Sequence, residues 1–510
     1  MSSRPARMLR TAAIPAAVAL TATLALLPTG ATAASTGTTD TAAVTTDGTA
    51  LSYVVNVRPG LADSPRIAKA IKAAGGDVVI AYKKIGVIVV HSANADFAKT
   101  MRTVRGVDSA GATRTAPLPA QSTTDMGTPK LLSEKEQKAV AARAKAGQDP
   151  LEPLQWDLPA MKADKAHEKT LGSRDVTVAV LDSGVDDTHP DLAPNFDRQA
   201  SASCVSGKPD TAEGAWRPTA KESPHGTHVA GEIAAAKNGI GVTGVAPGVK
   251  VAGIKVGNPD GFFYTEAVVC GFVWAAEHGA DVTNNSYYTD PWNFNCLADP
   301  DQKALVDSVS RAARYAEKRG VVNVAAAGNE NYDLASDSIT DPTSPNDTTP
   351  GDRDIDPSKC LDLPAQLPGV ITVSATGAKG LKSSFSNYGL DMVEIAAPGG
   401  DSTKYQAPNA PATDGRIYNT LPGGKYGYMA GTSMASPHVA GVAALIKSTH
   451  PHASAKKVKS LLLAQADETA CPTTYDIDGD GKVDAVCEGT PENNGFYGAG
   501  IADALDAVTK

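Results

Sequence analysis

Apolar and polar positions along the chain divide it into stretches of different period. Tyr53-Val-Val-Asn-Val57, Val78 to Tyr82 and Val87 to Val90 are rich in β-branched residues and predict strands. Arg66 to Ala74 and Ala95 to Val104 have helical spacing, the first ended by Gly75-Gly76. Together they predict a small β-α-β-β-α-β unit over residues 51–116. From Pro117 to Pro150 the composition shifts to Ala, Lys, Gln, Ser and Pro. The charged helical run Glu134 to Lys145 has no apolar face to bury, so 117–150 reads as a linker. From Leu151 onwards apolar runs alternate with amphipathic segments. Val176 to Leu181, Val249 to Val256, Asp281 to Ser286, Val321 to Ala327 and Val370 to Ala375 predict strands, and Ala304 to Arg319 a helix. Such alternation implies an α/β fold, a doubly wound and mostly parallel sheet flanked by helices, over 151–510. Active sites of such sheets lie at the carboxyl ends of the strands.

The N-terminus has a pattern of its own. Arg4, Arg7 and Arg10 precede an apolar run from Ala12 to Leu27, closed by Ala31-Thr32-Ala33. A basic head, a short apolar core and a small-x-small exit predict a secretory signal peptide over 1–33, and hence an extracellular protein. Pro15 and Pro28 bound a run shorter than the ~20 residues of a membrane anchor. Residues 34–50 are rich in Ser, Thr, Gly and Ala and read as a flexible segment. The six cysteines, Cys204, Cys270, Cys296, Cys360, Cys471 and Cys487, are an even count without metal-type spacing, which in an exported chain favours disulfides. Sequence leaves the pairing open, with Cys471–Cys487 the best single expectation. A net charge of -9 over 510 residues argues against a nucleic-acid partner held by phosphate contacts. No later segment is apolar enough to span a bilayer.

Three segments carry the candidate chemistry. Val-Ala-Val-Leu-Asp182-Ser-Gly places an acid at the end of a buried strand. His225-Gly-Thr-His228-Val-Ala-Gly opens a helix of small residues, and Gly431-Thr-Ser433-Met-Ala-Ser-Pro437 starts another. A serine hydroxyl becomes a useful nucleophile when a base accepts its proton. Histidine titrates near neutrality and can take that proton and return it. A buried carboxylate fixes the imidazole tautomer, and a helix N-terminus offers N–H groups to an oxyanion. Taken singly, each residue reads as a turn or helix cap. A zinc site on His225 and His228 lacks the H-E-x-x-H arrangement and a third ligand.

Together these segments resemble the signature blocks of the subtilisin-like family of serine peptidases, in the family's order Asp…His…Ser. A fourth block, Val324-Ala-Ala-Ala-Gly328-Asn329-Glu330, resembles the one whose Asn donates to the oxyanion. The resemblance runs from about Leu151 to the C-terminus with insertions. It implies a secreted serine endopeptidase acting on proteins or peptides, with Asp182, His225, Ser433 and Asn329 as catalytic residues. It also implies that the unit at 51–116 is a propeptide, an inhibitor and folding aid removed by a cut in the linker. The expected product is a monomer. An exopeptidase releasing short N-terminal peptides, or a non-catalytic binding protein, are the alternative readings.

Family members often bind structural Ca²⁺. Asp191, in His189-Pro-Asp191-Leu, and Asn238, in Lys237-Asn238-Gly-Ile-Gly241, match family ligands. Asp476-Ile-Asp478-Gly-Asp480-Gly481-Lys-Val-Asp484 mimics an EF-hand loop, but its twelfth position is Cys487 in place of Glu. The alternative is an Asp/Gly-rich surface turn. The departures from the family concern the substrate cleft. Asn285-Ser286-Tyr287-Tyr288 stands where the family has a Ser-Leu-Gly-like strand, and Gly261-Phe262-Phe263 replaces a Gly-rich facing strand. A phenol at Tyr288 that fills the pocket would restrict the residue before the scissile bond to small side chains. One that swings out over the strand edge would not.

Overall fold

The computed structural model describes residues 50–115, 117 and 128–510. The expected signal peptide, nearly all of the segment 34–50 and part of the linker lie outside these residues. Residues 51–112 form a four-stranded antiparallel sheet in the order Gly76–Tyr82, Val87–Ser92, Leu51–Val57, Val107–Ala112. Period-two alternation places Tyr53, Val55, Val57, Ile88 and Val90 on one face, against Ile67 and Ile71 of helix Pro65–Ala73 and Phe97 and Met101 of helix Phe97–Arg102. Val54, Val87 and Val89 point the other way and pack with Ala267, Val268 and Leu305 of helices Thr265–Glu277 and Pro300–Lys318. Both faces are buried, which is why these strands read as nearly continuous apolar runs.

Polar contacts ring this interface. Asn56 Nδ2 donates to the Ala304 carbonyl (2.9 Å), and Arg311 reaches the Val57 and Gly86 carbonyls (2.5 and 3.1 Å) and Asp108 (2.9 Å). At its end, Arg114 pairs with Glu266 and lies over the Tyr264 ring (4.1 Å), and Thr115 N–H donates to Asp347 (2.8 Å).

The main sheet has seven parallel strands in the order Ile395–Pro398, Val370–Thr376, Val322–Ala326, Val282–Asn285, Thr177–Asp182, Lys250–Lys255, Ala202–Ser203. Order reverses about Thr177–Asp182, the switch point at which such sheets open a crevice. Helix Thr432–Thr449 is buried over almost its whole length, in keeping with its run of Ala, Val, Gly and Ile, and packs on the sheet with helix His225–Ala234. The doubly wound α/β architecture is the one expected.

The predicted linker holds one pairing that was not foreseen. Lys130–Leu131, within the predicted linker, adds a short strand to the hairpin Ile417–Leu421/Lys425–Met429. Helix Glu134–Ala141 opens with a capping box between Ser133 and Glu136 and buries no side chain fully. Three disulfides join Cys204–Cys270, Cys296–Cys360 and Cys471–Cys487. Among the described residues no helix is long and apolar enough to cross a membrane.

Candidate active site

Strand Thr177–Asp182 ends on Asp182, which is fully buried, and the chain turns at Gly184 with φ +117°. Helix His225–Ala234 begins directly above it. A Cβ on Gly226 would lie 2.5 Å from the Gly184 carbonyl and 3.0 Å from the Asp182 side chain, so glycine is what lets the two segments meet. His225, 2% exposed, donates from Nδ1 to Asp182 Oδ1 (2.9 Å), with Oδ2 at 3.0 Å. Asp182 Oδ1 also accepts from Ser183 N–H (2.6 Å).

Ser433 is the second residue of its helix, where backbone N–H groups lack intrahelical partners. Its hydroxyl makes a long bond to the Ser286 carbonyl (3.4 Å), and the Ser286 hydroxyl donates to the Ser433 carbonyl (2.9 Å). Asn329 follows strand Val322–Ala326, is solvent-exposed, and takes hydrogen bonds on Oδ1 from Thr432 N–H (2.8 Å) and Thr432 Oγ1 (2.9 Å). That orientation fixes which end of the amide is committed and leaves Nδ2 as the donor. Its backbone is held by Glu330, whose Oε2 accepts from Asn329 N–H (2.9 Å) and Asn387 Nδ2 (2.8 Å).

His225, Asn329 and Ser433 line one cleft of about 400 Å³. Ser286, Tyr287 and Tyr288 form one wall. Tyr288 OH accepts from Asn346 Nδ2 (2.9 Å), which draws the ring to the side. Gly261, Phe262 and Phe263 do not line this cleft. They form a tight turn closed on Asn258, both rings are buried, and Phe263 stacks on Tyr287 at 4.7 Å. Sequence reasoning missed Asn293, Thr343 and Asp362, which also line the cleft. They belong to loops between predicted elements, where no period marks them.

Beneath the triad, His228 Nδ1 and Glu232 Oε1 lie 2.7 Å apart, fully buried, and His228 Nε2 reaches the Gly427 carbonyl (3.1 Å). The spacing is that of an ion pair. Burial, however, pushes the His228 imidazole down to about 3 and the Glu232 carboxyl well above its usual range. Both groups are therefore neutral, with the Glu232 proton donated to Nδ1. A zinc site on His225 and His228 has no place here, since each imidazole serves its own carboxyl group.

The two candidate calcium sites differ. Asp476, Asp478 and Asp484 each bring a carboxylate oxygen within 4.8 Å of the others, a donor set that suits a hard cation. Asp480 does not join them, because it pairs with Lys482 (2.8 Å). Asp191 accepts from Val242 N–H (3.0 Å), Tyr426 OH (3.0 Å) and Asn238 Nδ2 (3.3 Å), and burial raises its carboxyl to about 6. Asn238 thus presents a donor to Asp191, and the loop closes by hydrogen bonds. As arranged, these groups do not fit an ion.

A family profile described as the subtilase family matches residues 173–500. The chain belongs to the subtilase family. Subtilisin BL of Lederbergia lenta is 32% identical over 330 residues, 65% of this chain and 96% of that protein. Subtilisin DY of Bacillus licheniformis is 34% identical over 312 residues, 61% of this chain and 90% of that protein. Among solved structures, the epidermin leader peptide processing serine protease of Staphylococcus aureus superimposes with a TM-score of 0.63 at 23% identity, covering 90% of this subtilase and 98% of that chain. Fervidolysin from Fervidobacterium pennivorans gives 0.59 at 25% identity, covering 91% and 61%. This subtilase is thus a subtilisin-like serine peptidase.

Proposed function

We propose that the protein is a secreted endopeptidase that cleaves peptide bonds through an acyl-enzyme formed on Ser433. The observation that carries this reading is the His225–Asp182 hydrogen bond (2.9 Å) in the cleft that also holds Ser433 and Asn329. With Nδ1 committed to Asp182, Nε2 is the base that takes the Ser433 proton as Oγ attacks the carbonyl. Ser433 Oγ leaves its long bond to the Ser286 carbonyl to do so. The oxyanion meets Asn329 Nδ2 and the N–H groups at the head of the Ser433 helix, donors fixed before charge develops. His225 then protonates the leaving amine, and a water activated by the same imidazole releases the acyl group.

The unit at 51–116 ends beside the residues that hold Tyr288, as an inhibitor would. Its last described residues, Arg114 and Thr115, are seated on Glu266 and on Asp347, the neighbour of the Asn346 that holds Tyr288. We read residues 51–116 as an inhibitor that is cut away after export. Pairing of all six cysteines suits an oxidising compartment. Calcium, where bound, would be held by Asp476, Asp478 and Asp484 and would stiffen the C-terminal loop. Mass spectrometry of products from a long unfolded substrate tests the reading. Internal fragments are expected, and release only of short N-terminal peptides would favour the exopeptidase.

A further inference from the structure

Besides Tyr288, the cleft is lined by a buried carboxyl group with one unpartnered oxygen. Asp362 is 3% exposed, lines the cleft with Asn293 and Thr343, and its Oδ1 receives no hydrogen bond. A buried polar atom left unsatisfied costs about 1–3 kcal/mol, and more for a charged one, so one that lines a substrate cleft points to a ligand group that completes it. Among the described residues no lysine or arginine lines the cleft, and a second carboxyl group, Glu330, lines it as well.

Asp362 is also held in place. The disulfide Cys296–Cys360 and the antiparallel pairing of Asn295–Cys296 with Cys360–Leu361 fix the chain just before it. Just after it, the Leu363 carbonyl accepts from Thr289 N–H (2.8 Å) and Thr289 Oγ1 (3.1 Å), tying this segment to the residue next to Tyr288. Asp362 N–H itself donates to Gln366 Oε1 (2.7 Å). Asp362 and the Tyr288 ring are thus both held in the cleft by ties to fixed neighbours.

We propose that Asp362 determines specificity by pairing with a cationic side chain, lysine or arginine, on the substrate residue just before the scissile bond. This rests on the peptidase reading above, since it assigns the cleft beside Ser433 to that residue. A long aliphatic stem packs along Tyr288 and delivers its charged head to Asp362, with Glu330 adding to the negative field. Burial and the neighbouring Glu330 push the Asp362 carboxyl well above its usual range, so it holds a proton that the cationic guest displaces. A charge-assisted hydrogen bond of ~1.5–3 kcal/mol corresponds to roughly 10–100-fold in kcat/KM.

The test uses the mature enzyme and four fluorogenic peptides that differ only at this position, with Arg, Lys, Gln or Leu. Arg and Lys should exceed Leu and Gln by roughly 10–100-fold in kcat/KM. Asp362→Asn and Asp362→Gly should erase most of that ratio while Ser433 still takes up a fluorophosphonate label. Equal or better cleavage after Leu or Gln by the unaltered enzyme overturns the proposal, and this ratio stands even if neither variant accumulates. A variant that keeps the Arg-over-Leu ratio also overturns it. Labelling without preference would sink the specificity assignment alone. No cleavage and no labelling would overturn the peptidase reading, and the proposal with it.

Discussion

Glu232→Gln isolates the buried proton beneath the triad. Glu232 ordinarily titrates at 4.5, and in the folded protein burial raises it well above that value. A raised folded pKa means that the folded state binds more protons than the unfolded state above 4.5. Stability from this group is therefore full below 4.5 and is lost as pH rises towards the folded value. The loss is ~1.4 kcal/mol per pH unit for as long as Glu232 keeps its proton. His228, lowered from 6.5 to about 3, acts in the opposite sense, contributing stability above 6.5 that is lost as pH falls. Between 4.5 and 6.5 the two effects cancel, because the pair holds one proton folded and one unfolded. Glutamine keeps the hydrogen bond, its amide donating to His228 Nδ1, and removes only the Glu232 titration.

From about pH 5.5 to 7.5, the Glu232→Gln variant should gain up to ~2.7 kcal/mol on its parent, two pH units of slope. Urea unfolding followed by tryptophan fluorescence measures this, with both forms in a Ser433→Ala background to prevent self-digestion. A difference between the two forms that stays constant with pH would refute the argument, and would mean that Glu232 is ionised and His228 charged.

Replacing Asn329 by Ala should lower kcat on the order of 10²–10³-fold with little change in KM, the loss known for this oxyanion donor in subtilisins. Steady-state kinetics on one peptide checks it. Chelation should lower the thermal unfolding temperature, and Asp476→Ala or Asp478→Ala should reproduce that loss where Asp480→Ala does not; calorimetry in chelator and in added Ca²⁺ separates them. Arg311→Ala removes three contacts to the pro-unit and should weaken its hold about tenfold or more, seen as earlier appearance of activity after secretion.

The legible parts of this protein are those in which chemistry and chain geometry coincide. Asp182, His225 and Ser433 each sit where a strand ends or a helix begins, beside a glycine or small residue that the close approach requires, so local sequence marks them. The unit at 51–116 shows in the same way, because both faces of its sheet are apolar. Asp362 lay hidden for the opposite reason. It follows Asn329 by a long insertion of loops and strands of two or three residues, and its place in the cleft depends on a disulfide and a tie to Thr289. The Phe262-Phe263 pair misled because aromatic residues predict a wall equally well as a core, and here a turn on Asn258 sends both rings inward. Asp480 misled because spacing alone cannot show that Lys482 claims it.

The most direct test of the central claim is to treat the native secreted enzyme with a fluorophosphonate and locate the adduct by peptide mapping. A single adduct on Ser433, appearing in step with loss of peptide cleavage, is the predicted result. Loss of cleavage with the adduct on another residue, or full cleavage by a Ser433→Ala chain, would contradict the account.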